Sequence, residues 1–188
     1  DTNPGFLYQQ NTLRDALIAG INLNIFNNHA DRVHMANIAQ VVNVLQAMIL
    51  TDGEKMILTP SYHVFEMYKV HQDATLLPTN VSSRFYSHED KHLPMINVSA
   101  SQNDSGQINI SICNIHPSES DEIIIDLEGI TTEANVSGRI LTADEINAHN
   151  TFDSPNTLQP TEFHSFKIEP NKLTVTIPSK SVLVLQIN

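Results

Sequence analysis

The sequence predicts an α/β segment followed by an all-β one: helix, strand, helix over residues 1–75, then an antiparallel β-sandwich over 76–188. Three observations predict it. Apolar residues recur at helical spacing before residue 75, one run between the two helical stretches is apolar on both faces, and after residue 75 the period falls to two, with polar turns at short intervals.

Leu13, Leu17, Ile21 and Ile25 recur every four residues, and Ala16, Gly20 and Leu23 widen the stripe, so Thr12–Phe26 is predicted as a well-buried helix. Thr12 with Asp15 makes a capping-box pattern, and NNHAD stops the helix. The run VHMANIAQ, Val33–Gln40, then reads as a strand buried on both faces, the kind found in parallel sheets covered by helices. Such a sheet needs several strands, so this segment reads as the tail of something larger. Two amides, Asn37 and Gln40, sit in it, and buried amides need partners. Gln40 falls at the carboxyl end of the strand, where α/β sheets hold ligands, and an amide can donate to and accept from a sugar hydroxyl. The alternative is that both amides satisfy backbone groups of the following loop. In MILTDGEKMILTP, Asp52-Gly53 marks either a hairpin turn or a helix-end reversal. Thr59 as cap and Pro60 at the first helical position open a second helix, Ser61–His71.

Beyond residue 75, Ile108, Ile110 and Ile112 alternate with Asn109, Ser111 and Cys113 after the turn NDSG. EIIIDLEG, SGRILTA, EFHSFKI, KLTVTIP and SVLVLQI follow as further short strands, which together predict a sandwich. The helical part and the sandwich are predicted to be separate structural units.

Ten Lys and Arg against 21 Asp and Glu give a net charge of −11, which argues against nucleic acid and leaves a neutral ligand open. The one cysteine, Cys113, cannot form an intrachain disulfide and fits a reducing compartment. No apolar run approaches the roughly 20 residues of a membrane-spanning helix, and DTNPGFLYQQ shows no leader pattern. Five N-x-[ST] sequons, at Asn80, Asn97, Asn103, Asn109 and Asn135, are what chance supplies in a chain rich in Asn and Ser.

HEDKH, residues 88–92, matches H-E-x-x-H, a zinc-peptidase pattern that works only with both histidines on one face of a stable helix. Asp90, Lys91 and Pro94 leave no such helix, so a solvated loop is expected. His34 and His63 are isolated and read as structural. Glu66 falls within a helix, Glu54 in a turn and Asp15 at a cap, so no carboxylate pair stands at a strand end for glycoside chemistry. No Ser-His-Asp order, phosphate loop or C-x-x-C pair is present, and no metal or other cofactor is implied.

FLYQQNTLRDAL, HADRVHMANIAQVVNVLQAMILTDGEKMILTPSYHVFEMYKVHQDATLLP and INAHNTFDSPNTLQP closely resemble the C-terminal portion of alpha-L-arabinofuranosidases of glycoside hydrolase family 51. The likeness is nearly continuous from Gly5 to Pro78 and returns at Leu141–Pro160. It implies that residues 1–75 are the C-terminal end of a (β/α)8 catalytic barrel, with Val33–Gln40 as its eighth strand, and that 76–188 form a jelly-roll-type sandwich. The family removes terminal arabinofuranosyl units from arabinan, arabinoxylan and their oligosaccharides with retention, using an acid/base and a nucleophilic glutamate. Both would lie upstream of residue 1, so no catalytic residue is assigned here and the isolated chain is expected to be inactive. By the family pattern Gln40 contacts substrate and Asn37 supports it. The resemblance also implies a cytoplasmic enzyme that needs the missing N-terminal part, forms a homo-oligomer such as the hexamers of the family, and engages neither nucleic acid nor membrane. The rival is a non-catalytic carbohydrate-binding β-sandwich module, which the absence of Trp disfavours because such modules hold sugars on exposed aromatic rings.

Overall fold

The computed structural model describes residues 11–188, arranged as three layers: helices, a large sheet and a small sheet. Helix α1 spans Leu13–Asn28 and α2 spans Pro60–Tyr68, continued by a 3-10 turn at Lys69–His71. Between them lies the hairpin β1 (Ile49–Asp52) and β2 (Lys55–Leu58). The MILTDGEKMILT stretch is thus a hairpin, with Asp52 paired to Lys55 and Gly53 at φ +57°, the first turn position, where only glycine is unstrained.

The remaining strands are β3 (Thr75–Leu77), β4 (Phe85–His88), β5 (Lys91–Pro94), β6 (Ile96–Gln102), β7 (Ile108–Asn114), β8 (Asp121–Asp126), β9 (Val136–Thr142), β10 (Thr161–Glu162), β11 (Phe166–Glu169), β12 (Lys172–Ile177) and β13 (Ser181–Ile187). The large sheet runs β10-β9-β13-β7-β6-β3 and the small one β11-β12-β8, with antiparallel pairing throughout. EFHSFKI, expected as one strand, is divided at His164 and Ser165: β10 joins the large sheet and β11 the small one, so this stretch turns the corner between the layers.

The period-2 alternation explains the layering. Ile110 and Ile112 of β7, and Leu183 and Leu185 of β13, face Leu173, Val175 and Ile177 of the small sheet in the main core. The alternate residues Cys113, Leu141, Val182 and Val184 face the helices, where Leu13, Ala16, Leu17, Val64 and Met67 complete a second core. The large sheet is therefore buried on both faces, and packing is continuous across the change of period at residue 75. The helices and the large sheet share this second core.

Polar residues in this helix–sheet layer form a closed network. Asn24 donates to Asn97 Oδ1 (2.8 Å) and accepts from the Ser111 hydroxyl (2.6 Å). His71 meets Ser101 Oγ through Nδ1 (2.7 Å) and Ser111 Oγ through Nε2 (3.0 Å). Since Ser111 spends its single proton on Asn24, Nε2 carries the imidazole hydrogen and Nδ1 accepts from Ser101. Asn109, one of the sequon asparagines, is fully buried and donates to the Val70 carbonyl (3.1 Å). Gly20 permits the close approach of α1 to the sheet: a Cβ there would stand 2.8 Å from Cys113 Sγ. Burial pushes the Cys113 thiol up to about 12, so it is an inert packing group.

Three expectations are corrected. Val33–Gln40 is not a strand: it is irregular, with no ladder partner among the described residues. A strand exists only where a neighbour takes up its N–H and C=O groups, and apolar composition cannot supply that neighbour. The stripe on α1 is also narrower than expected, for Ile25 is exposed, Ile21 is only half-buried, and the buried face is Leu13, Asp15, Ala16, Leu17, Gly20, Leu23 and Asn24. Steps of four residues advance about 40° around a helix of 3.6 residues per turn, so Ile25 has rotated away from the face that Leu13 begins. HEDKH, finally, forms the tip of the β4–β5 hairpin with Glu89 at φ +51°, and His92 is paired to Ser87 (2.8 Å). An extended hairpin cannot present the two histidines as a zinc-peptidase helix does.

Candidate functional site

Thr12 and Asp15 fix the start of α1. Asp15 Oδ2 accepts from the Thr12 backbone N–H (2.7 Å) and hydroxyl (2.9 Å), and Oδ1 accepts from Gln46 Nε2 (3.1 Å). The next two spare helix donors, Leu13 and Arg14 N–H, bind the Ala148 and Ile146 carbonyls. Asn150 in the same loop holds the Leu58 carbonyl and both backbone groups of Leu158, so the INAHNTFDSPNTLQP stretch buttresses the helix layer.

Against this scaffold lies the 33–48 segment. The loop after Gln40 braces itself: Gln40 N–H donates to Val44 O, Met48 and Ile49 N–H to Val41 O, and Asn43 N–H to Ile49 O. Asn43, at φ +60°, exchanges two side-chain hydrogen bonds with Thr51 of β1 (2.7 and 2.8 Å). Thr59, the cap of α2, accepts from Tyr62 N–H and donates to Ala47 O, which ties the loop to the second helix.

Between the segment, α1 and α2 opens a cavity of about 360 Å³, walled by Ile18, Leu23, Phe26 and Phe65 and edged by Asn37, Gln46 and Ser61. Asn37 is exposed and borders this cavity; Gln40 is exposed and lies just beyond it in the chain. The Asn37 and Gln40 side chains make no hydrogen bond among the described residues, so neither amide serves the backbone of the following loop. Ser61 Oγ is buried in the cavity wall and also lacks a partner among the described residues. Sequence reasoning missed Ser61; its signal was a serine on the buried side of the first turn of α2, next to Pro60. Apart from the Asp15 carboxylate, whose oxygens already accept from Thr12 and Gln46, the arrangement offers uncharged donors and acceptors beside an apolar wall, which suits a neutral hydroxylated ligand.

The three carboxylates singled out in the first 75 residues stand apart from one another in role. Glu54 is exposed in the hairpin turn, Glu66 is held by Arg139 (2.8 Å) and Lys69 (3.7 Å), and Asp15 is taken by Thr12 and Gln46. Burial lowers the His63 pKa, with Glu66 opposing. Among the described residues no cluster of three His, Cys, Asp or Glu side chains could hold a metal ion, and no helix is long and apolar enough to cross a membrane.

Residues 1–181 match the alpha-L-arabinofuranosidase C-terminal domain family. The chain belongs to this family. It is 46% identical over 187 residues to an intracellular exo-alpha-L-arabinofuranosidase of Bacteroides ovatus, covering 99% of the chain and 36% of that relative. An exo-alpha-(1->6)-L-arabinofuranosidase of Bifidobacterium longum is 27% identical, over 95% of the chain and 35% of the relative. Among solved structures, the GH51 arabinofuranosidase from Xanthomonas axonopodis pv. citri superimposes with a TM-score of 0.94 at 46% identity, over 100% of the chain and 38% of that structure. The arabinofuranosidase C-terminal domain described here thus spans little more than a third of these relatives, between 35% and 38% of their length. The match to the Xanthomonas structure extends through the 33–48 segment as well as the sheets, so the mostly β architecture with two helices is that of the family's C-terminal domain.

Proposed function

We propose that this chain is the C-terminal part of an exo-acting, retaining alpha-L-arabinofuranosidase of glycoside hydrolase family 51. The intact enzyme hydrolyses terminal arabinofuranosyl residues from arabinan, arabinoxylan and their oligosaccharides. The identity of 46% along 187 residues to an exo-alpha-L-arabinofuranosidase carries this reading. In it, residues 1–75 close a (β/α)8 barrel and 76–188 form the jelly-roll sandwich. Val33–Gln40 becomes the eighth barrel strand once an upstream strand pairs with it, which accounts for its apolar composition and its lack of a ladder partner here. The exposed apolar residues Met35, Val41 and Val44 of the same segment fit burial by that upstream part.

Two glutamates on upstream strands supply the chemistry: one protonates the leaving oxygen and later activates water, the other forms the glycosyl-enzyme. Gln40 binds a hydroxyl of the arabinofuranosyl ring, and Asn37 supports the same strand end. The enzyme works in the cytoplasm as a homo-oligomer, the first reading supported by the intracellular relative from Bacteroides ovatus.

The test compares the 188-residue chain with the longer polypeptide that contains it, on an aryl arabinofuranoside and on arabinan. Turnover by the longer polypeptide alone is expected. Turnover by the 188-residue chain, or none by the longer one, would overturn the reading.

A further inference from the structure

The β4–β5 hairpin leaves one aromatic ring to solvent. Its two aromatics alternate: Tyr86 packs edge-on against His116 with centroids 5.4 Å apart, whereas Phe85, paired in register with Pro94, is 65% exposed. Phe85 and Pro94 flank a groove of about 310 Å³ that runs to the C-terminal end of α1, where Asn28 and Asn97 border it. Each amide has one half occupied and one half spare. Asn28 Nδ2 donates to the Val98 carbonyl (2.8 Å), leaving its oxygen, and Asn97 Oδ1 accepts from Asn24 (2.8 Å), leaving its NH₂ group. The exposed Thr79 hydroxyl adds a third polar group.

Among the described residues the groove lining carries no charged side chain, although the chain bears a net charge of −11 and other clefts are edged by Glu66 and Arg139 or by Glu128 and Glu133. An uncharged groove with a spare acceptor, a spare donor and an open ring face matches a neutral sugar: hydroxyls meet the amides and the C–H face lies on the electron-rich face of the ring. The geometry points to an accessory saccharide-binding site at Phe85, Asn28 and Asn97 that holds a distant stretch of arabinofuranosyl polysaccharide while the 33–48 region receives the chain end. This rests on the proposed arabinofuranosidase reading. The ligand class is a neutral furanosyl polymer; the site binds and performs no chemistry.

The experiment uses the full-length enzyme. Migration in native gels containing arabinan is compared for wild type, Phe85→Ala and Phe85→Tyr, alongside kcat/KM on an aryl arabinofuranoside and mass by light scattering. Phe85→Ala is expected to weaken arabinan retardation by roughly five-fold, Phe85→Tyr to keep it, and both to turn over the aryl substrate as wild type does. Equal retardation of wild type and Phe85→Ala, no retardation of wild type, or a change of oligomer size in Phe85→Ala would overturn the inference, the last by marking the ring as a contact between copies. Loss of aryl turnover in the wild type would instead break the underlying arabinofuranosidase reading.

Discussion

Asn24 and Gln40 are both amides in otherwise apolar surroundings, and the fold treats them oppositely. Asn24 is fully buried between α1 and the large sheet, with Asn97 and Ser111 on its two ends, in a network that also fixes His71 and Ser101. Gln40 is exposed on an irregular segment, its side chain unbonded among the described residues, like that of Asn37 nearby. Asn24, a buried amide, is satisfied within the fold. Amides kept on a segment that does not use them are available to something else, which is what supports the ligand role proposed for Gln40 and Asn37.

The largest effect is expected at the satisfied end. Asn24→Ala removes the 2.6 Å acceptor of the Ser111 hydroxyl and the donor to Asn97 Oδ1, and lowers unfolding free energy by about 3 kcal/mol, read by urea denaturation of the chain. A loss near zero would mean that the network is ornamental. Next is acid. Burial holds His71 at about 4, below its ordinary 6.5, so the unfolded chain binds a proton that the folded one refuses. Stability is full above pH 6.5 and declines as pH falls towards 4, by on the order of 2 kcal/mol. His71→Gln should flatten this part of the pH–stability curve; an unchanged slope would place the acid sensitivity elsewhere. Removing the cap comes third, since Asp15→Ala frees the Thr12 donors and Gln46 and costs about 1 kcal/mol by the same denaturation. Smallest are Asn37→Ala and Gln40→Ala, expected to shift stability by less than about 0.5 kcal/mol, because no side-chain bond among the described residues is lost.

Much of the fold was legible wherever the information was local. The cap Thr12–Asp15, the Asp52-Gly53 turn, the Thr59-Pro60 start of α2 and the alternation in β7, β8, β9, β12 and β13 each follow from neighbours in sequence. What was not legible depended on distant partners. INVSASQ, which forms β6, gave no strand signal because Ser99 and Ser101 are polar yet buried on the helix-facing side, where His71 and the rest of the network wait. The stretch around Ser165 gave no sign of changing sheets. Val33–Gln40 failed in the opposite sense: its apolar pattern is a strand pattern, but the hydrogen-bond partner that would make it one is not among the described residues. Gln40 was singled out by position and resemblance, and its side chain, unbonded among the described residues, supports that proposal; Ser61 lay outside both.

One kinetic comparison probes the central claim directly. In the full-length enzyme, Gln40→Ala is predicted to lower kcat/KM on an aryl arabinofuranoside by roughly 10- to 100-fold through loss of a hydroxyl contact, with the unfolding midpoint unchanged. An unaltered kcat/KM would contradict the account, and so would a loss of activity that merely tracks a loss of stability.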